Sequence, residues 1–97
     1  MEIIKTPIID LVVIKPRVFA DARGFFFETY NEERYREAGI TQQFVQANMS
    51  KSSYGVVRGL HFQRPPYSQA KLVQVIEGAV LDVAVDLRSD SETYGQW

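Results

Sequence analysis

Two runs of β-branched and aliphatic residues, Lys71 to Ile76 and Ala79 to Leu87, are separated only by Glu77-Gly78. A two-residue connection with glycine second is the tightest turn that antiparallel strands accept, because Gly78 takes positive φ without a Cβ penalty. The pattern predicts a β-hairpin. In its second arm Leu81, Val83, Val85 and Leu87 fall on one side, and Asp82, Ala84 and Asp86 on the other. That alternation is the period of a strand with one apolar face, which finds cover only within a sheet. The carboxylate-bearing face has two readings. It is either the solvated side of an antiparallel sheet or the lining of a ligand cavity in a small barrel or jelly roll.

The rest of the chain is mostly strand-like as well. Glu2 to Phe19 is rich in Ile and Val, with Pro7 and Pro16 as breaks that predict short or edge strands. Asp21-Ala22-Arg23-Gly24 marks a turn. One short helix is predicted near 31–38: Asn31 caps it, Glu32 and Glu33 sit in its electropositive first turn, and Gly39 ends it. Gln43–Met49 and Val56–Gln63 read as strands around a Ser-Lys-Ser-Ser-Tyr-Gly turn, followed by an extended Arg64-Pro-Pro-Tyr67 loop.

Composition removes several classes of function. Eleven basic and twelve acidic residues give a net charge of -1, without the basic stripe that a phosphate backbone requires, so nucleic acid is not an expected partner. The absence of cysteine excludes disulfides and thiolate metal sites. Ile8 to Ile14 is interrupted by Asp10 and is too short to span a bilayer, and no signal-peptide pattern is present. No membrane partner and a cytoplasmic location are therefore expected. With 97 residues there is room for one domain and a thin core.

The stretch richest in chemistry runs from Gly55 to Gly78. Gly55, five residues and His61, then Lys71, six residues and Gly78, resemble the first motif of the cupins. Where the metal-binding motif has a second histidine this chain has Gln63, and Lys71 takes the place of a glutamate. An ammonium repels a divalent cation and an amide is a poor transition-metal ligand, so neither a metal nor another cofactor is expected. What remains is an imidazole suited to proton abstraction and an amine suited to stabilising a developing oxyanion. Singly, these residues have plainer readings: Lys71 as a strand-edge lysine, Arg23 as a turn arginine, and Phe25 to Phe27 as core.

The longer motifs make a set. Asp21 to Glu28, Gln46-Ala-Asn-Met-Ser50, Val57 to Gln63, Lys71-Leu-Val73, Asp82 to Arg88 and Thr93 to Trp97 resemble successive motifs of the dTDP-4-dehydrorhamnose 3,5-epimerase family, in order. The resemblance implies an all-β, cupin-like jelly roll, about half of one in this chain, as a single C-terminally truncated domain over residues 1–97. It implies an isomerase of dTDP-rhamnose biosynthesis that epimerises a dTDP-4-dehydro-6-deoxy-glucose at carbons 3 and 5. His61 would be the base and Lys71 the enolate-stabilising cation. Arg23, Glu28, Gln46, Asn48 and Arg58 would contact the dTDP-sugar.

The same resemblance implies a homodimer with N-terminal strand exchange. It assigns the proton donor, and the aspartate that pairs with the base, to the family's other half. Asp82, or else Asp86, is a candidate to orient His61 in place of that aspartate. Two alternatives stand beside this reading: a non-catalytic nucleotide-sugar-binding module or inactive fragment, and a metal-dependent cupin, which Gln63 and Lys71 disfavour.

Overall fold

The computed structural model describes all 97 residues. Four short strands and one helix follow in order: β1 (Glu2–Lys5), β2 (Val12–Lys15), β3 (Phe19–Asp21), β4 (Gly24–Phe26) and α1 (Glu32–Glu37). The strands form two antiparallel ribbons. In the first, Ile3 lies opposite Ile14 and Ile4 opposite Val13; in the second, Phe19 lies opposite Phe26 and Asp21 opposite Gly24.

The prolines act as predicted. β1 ends at Lys5, ahead of Pro7, and β2 ends at Lys15, ahead of Pro16, because a proline lacks the N–H that would extend the ladder. Between β1 and β2 the chain turns around the Thr6 hydroxyl, which lies 3.0 Å from the Ile8 carbonyl and 2.7 Å from that of Leu11 and accepts from the Ile8 N–H at 3.2 Å. Asp10 takes a left-handed φ of 65° in this turn, which a short polar side chain tolerates better than most. At the β3–β4 turn the Asp21 carboxylate accepts from the Arg23 N–H at 2.8 Å, and Gly24 has φ 137°.

The helix forms where its signals place it. Asn31 Oδ1 accepts from the Arg34 N–H at 3.0 Å. At the other end the Gly39 N–H donates to the Arg36 carbonyl at 3.0 Å and the Ile40 N–H to the Tyr35 carbonyl at 2.8 Å. This is a Schellman closure, made possible by φ 89° at Gly39. Six residues cannot hold a helix by propensity alone. Tyr35 supplies the anchor: it is buried, its ring meets Tyr30 edge-on at 4.9 Å, and its hydroxyl donates to the Thr29 carbonyl at 3.2 Å. Phe44 extends the cluster by an edge contact with Tyr30 at 5.6 Å.

The second half departs from expectation. The segments 43–49, 56–63, 71–76 and 79–87 carry strand-like sequence but no ladder, and the hairpin expected at Glu77-Gly78 does not pair. The chain does bend at 76–78, and Gly78 has φ 85° as the turn chemistry requires. A β-branched sequence makes a strand competent, but a ladder needs a neighbour presenting its own donors and acceptors; the backbone pairing at the end of 79–87 is local, the Asp86 N–H donating to the Gln96 carbonyl at 2.9 Å and the Gly95 N–H to the Asp86 carbonyl at 2.7 Å.

Burial follows suit. Ile8 and Tyr35 are the only buried apolar residues, while Leu81, expected on the core face, is 91% exposed. Val83 and Val85 are half-buried. The radius of gyration, 15.6 Å, exceeds the roughly 13 Å of a compact domain of about this length. No helix is long and apolar enough to cross a membrane.

Candidate functional site

The residues picked out by chemistry fall on three parts of the chain. Arg23 stands at the tip of the β3–β4 ribbon with its side chain 91% exposed, and its Nη2 meets Asp21 Oδ2 at 2.6 Å. This pair lowers the Asp21 carboxyl, chiefly through its bond with the arginine side chain, and raises the Arg23 guanidinium. Phe19, Phe25 and Phe26 flank the tip around a shallow cleft of about 250 Å³ that also includes Arg23. Phe25 and Phe27 project from the same edge with rings 6.0 Å apart, and Arg17 lies over the Phe19 ring at 4.8 Å. Phe25 and Phe26 are therefore not core, since both are exposed, while Phe27 is half-buried.

Glu28 lies between β4 and α1. Its carboxylate accepts from Arg34 Nη1 at 2.9 Å and from the Asn31 side-chain amide at 3.5 Å. These bonds tie it to the start of the helix. Gln46 and Asn48 meet each other, the Gln46 amide donating to Asn48 Oδ1 at 3.3 Å. They are two apart on an extended segment, so their side chains share one side. Arg58 folds back on the preceding turn, donating to Ser52 Oγ at 2.9 Å and to the Lys51 carbonyl at 3.3 Å.

His61 and Lys71 lie on the two segments that flank the proline-rich loop. That loop closes with the Tyr67 N–H on the Arg64 carbonyl at 2.9 Å and Ser68 Oγ on the Gln63 carbonyl at 3.4 Å. His61, Lys71 and Asp82 are all exposed. Gly59, two residues before His61, has φ 106°, and a Cβ built on it would lie 3.4 Å from His61 Nδ1. No side-chain hydrogen bond joins His61 to Lys71, Asp82 or Asp86.

Asp86 requires a correction. It was expected on the solvated or cavity-lining side of a strand, yet it is 4% exposed and among the most buried residues of the chain. Oδ1 accepts from Arg88 Nε at 2.8 Å and from the Arg88 N–H at 3.1 Å; Oδ2 accepts from Arg88 Nη2 at 3.0 Å and from Ser91 Oγ and Thr93 Oγ1 at 2.6 Å each. These donors, the Arg88 side chain first, hold its carboxyl far below the usual carboxylate range. Both oxygens are occupied, which leaves Asp86 no free oxygen for His61.

Sequence reasoning missed this cluster, although the signal was present. An Asp-x-Arg pair followed by Ser-x-Thr supplies one acceptor and several local donors within eight residues, Asp86 to Thr93. Arg88 also reaches the other end of the chain, donating to the Ile9 carbonyl at 2.9 Å and to Asp10 Oδ2 at 3.4 Å. A surface cleft of about 370 Å³ lies beside this link among Pro7, Ile9, Arg88 and Ser91. It includes none of the residues expected to do chemistry.

The chemistry available is thus a solvent-accessible imidazole, a nearby-in-sequence ammonium, and two arginines held by weak, exposed partners that an anionic ligand can displace. No three His, Cys, Asp or Glu side chains gather as a metal-ligand set.

The family model described as dTDP-4-dehydrorhamnose 3,5-epimerase matches residues 5–97. The dTDP-4-dehydrorhamnose 3,5-epimerase of Shigella flexneri is 52% identical over 98 residues, covering 100% of this chain and 54% of that protein. The crystal structure of the corresponding epimerase of Elizabethkingia anophelis NUHP1 superposes with a TM-score of 0.89 at 56% identity, over 97% of this chain and 52% of that one. The Bacillus anthracis enzyme, crystallised with TDP and PPi bound, superposes with a TM-score of 0.94 at 48% identity, over 99% of this chain and 55% of that one. The chain spans about half the length of the relatives it matches. The unladdered segments therefore follow the path of the matching part of these related structures, consistent with an all-β, cupin-like fold.

Proposed function

The chain belongs to the dTDP-4-dehydrorhamnose 3,5-epimerase family, and from that premise we propose that it carries the base half of a nucleotide-sugar epimerase site. His61 removes the protons next to the 4-keto group of dTDP-4-dehydro-6-deoxy-glucose, at carbon 3 and then at carbon 5. Lys71 stabilises the enolate oxygen that develops. An α-proton of a ketone is too weakly acidic to leave unaided at neutral pH, so a positioned base and a preorganised cation act together. Arg23 and Arg58 hold the diphosphate, for which the planar guanidinium fork is suited. Glu28, Gln46 and Asn48 supply the remaining polar contacts to the nucleotide sugar.

The observation that carries this reading is the set of motifs around His61, kept in order within a family match that extends over residues 5–97. Support for the ligand class comes from the Bacillus anthracis relative, which holds TDP over a fold that this chain follows closely. A homodimer joined through the N-terminal strands belongs to the same proposal, and light scattering tests it. A monomer at micromolar concentration would count against it.

The test of the chemistry is NMR of the dTDP-4-keto sugar with the chain in deuterated water. The carbon-3 and carbon-5 protons are expected to exchange, and exchange is expected to vanish in His61→Ala. If the chain binds dTDP without catalysing exchange, the non-catalytic binding-module reading replaces this one. Exchange that persists in His61→Ala overturns the assignment of the base.

A further inference from the structure

The Gly59 conformation bears on the proposed base directly. At φ 106° the residue occupies a backbone region that L side chains rarely adopt. A Cβ built there would lie 3.4 Å from His61 Nδ1 and 3.9 Å from His61 Cε1, with the His61 backbone nitrogen at 3.5 Å. The imidazole therefore turns its Nδ1–Cε1 edge toward Gly59, and Nε2 is the ring nitrogen farther from it. At each of the other five glycines the same construction meets nothing within 4 Å.

We propose that Gly59 is a positioning residue for His61: its missing side chain leaves Nδ1 open to carry and share a proton, so that Nε2 is the nitrogen free to act as base. The proposal rests on the reading of His61 given above. In a neutral imidazole one nitrogen bears the proton and the other accepts, and the surroundings of the first decide which is which. A methyl group packed on Nδ1 strips water from that edge. It disfavours the proton at Nδ1, moves it to Nε2, and removes the lone pair from the position where a base is needed.

The chain contains a single histidine, so its ring resonances are unambiguous. Chains assembled from synthetic segments, joined at Ala47 and Ala70, allow position 59 to be glycine, L-alanine or D-alanine. D-alanine accepts positive φ without strain and directs its methyl away from the imidazole, so it separates backbone effects from contact with the ring. In Gly59→Ala the ring nitrogens are expected to report the Nε2–H form. The D-alanine chain is expected to match the glycine chain.

An unchanged tautomer in Gly59→Ala overturns the proposal, and so does an equal change in the D-alanine chain. If Gly59→Ala loses its native amide spectrum, the unmodified chain still decides: a nuclear Overhauser contact between the Gly59 α-protons and the His61 ring is required, and its absence overturns the proposal. None of these measurements involves a sugar. Proton exchange in His61→Ala tests the base assignment separately, so the two readings fail independently.

Discussion

The Arg88 guanidinium grips the Asp86 carboxylate at both oxygens, Nε to Oδ1 at 2.8 Å and Nη2 to Oδ2 at 3.0 Å, and with the same Nη2 reaches the Ile9 carbonyl 79 residues earlier at 2.9 Å. Two ends of the chain are joined through one side chain. Lysine has a point charge in place of the fork and cannot make these bonds together. Arg88→Lys is therefore expected to lower the thermal midpoint by a few degrees and to speed amide exchange in the Thr6–Leu11 turn, both measurable on the chain alone. Exchange there at the unmodified rate would show that the link does not hold the turn.

The same pair sets an acid limit. Asp86 has its folded carboxyl depressed far below the ordinary value near 3.8, chiefly by Arg88 and then by Ser91 and Thr93. Above the ordinary value the carboxyl is charged in both states, and its bonds in the folded chain contribute in full. Below that value the unfolded chain takes up a proton that the folded one refuses, so the contribution falls as the pH drops. Stability is expected to decline below about pH 4, and Asp86→Asn is expected to be less stable at pH 7 but to show a shallower acid slope. Parallel slopes for the two chains in acid denaturation would contradict this.

Tyr35 sets the alkaline limit of the helical unit. Burial, then the neighbouring Tyr30 and Glu28, raise its phenol above 10.0. A raised folded value means stability that is present below pH 10 and lost as the pH climbs through the folded value. Tyr35→Phe is expected to remove that alkaline loss while weakening the unit by about 1 kcal/mol through the missing bond to Thr29. Asn31→Ala is expected to cost a similar amount, about 1 kcal/mol, by uncapping the helix. Circular dichroism and hydrogen exchange at Tyr35 to Ala38 read both.

Arg23 is held only by Asp21 at the open tip of its ribbon. If Arg23 contacts the diphosphate, Arg23→Gln is expected to weaken dTDP binding by about tenfold or more, the scale of one charged hydrogen bond. Asp21→Asn removes the competing carboxylate and is expected to tighten binding, most visibly at low salt. Calorimetric titration at two ionic strengths checks both. Equal affinities across the three chains would place the diphosphate elsewhere.

Lys71 is proposed to act on the enolate and not on the ground state. Lys71→Gln is therefore expected to slow carbon-3 proton exchange by about 100-fold while leaving dTDP affinity within about twofold. A variant that loses binding and exchange in proportion would make Lys71 a binding residue.

Much of the local structure was decided by residues close together in sequence. Asn31, Glu32, Glu33 and Gly39 specify a helix because each acts on backbone groups within one turn. Pro7 and Pro16 end strands because each lacks its own N–H, and Asp21 to Gly24 turn through bonds that span two residues. The motifs around His61 likewise identified the family, since the order of residue types along a chain needs no fold to be read. Ladders are a different matter. The alternation from Leu81 to Leu87 defines two faces, but whether a face is covered depends on what lies beside it, and here Leu81 and Leu87 stay exposed while Asp86 is buried. The burial of Asp86 comes from Arg88, Ser91 and Thr93 curling back around it, and the link from Arg88 to Ile9 and Asp10 depends on two ends of the chain meeting in space. Short-range hydrogen bonding was thus determined by the sequence itself. Strand pairing, burial and the company of each carboxylate were decided by the tertiary structure, because they depend on groups brought together from distant positions.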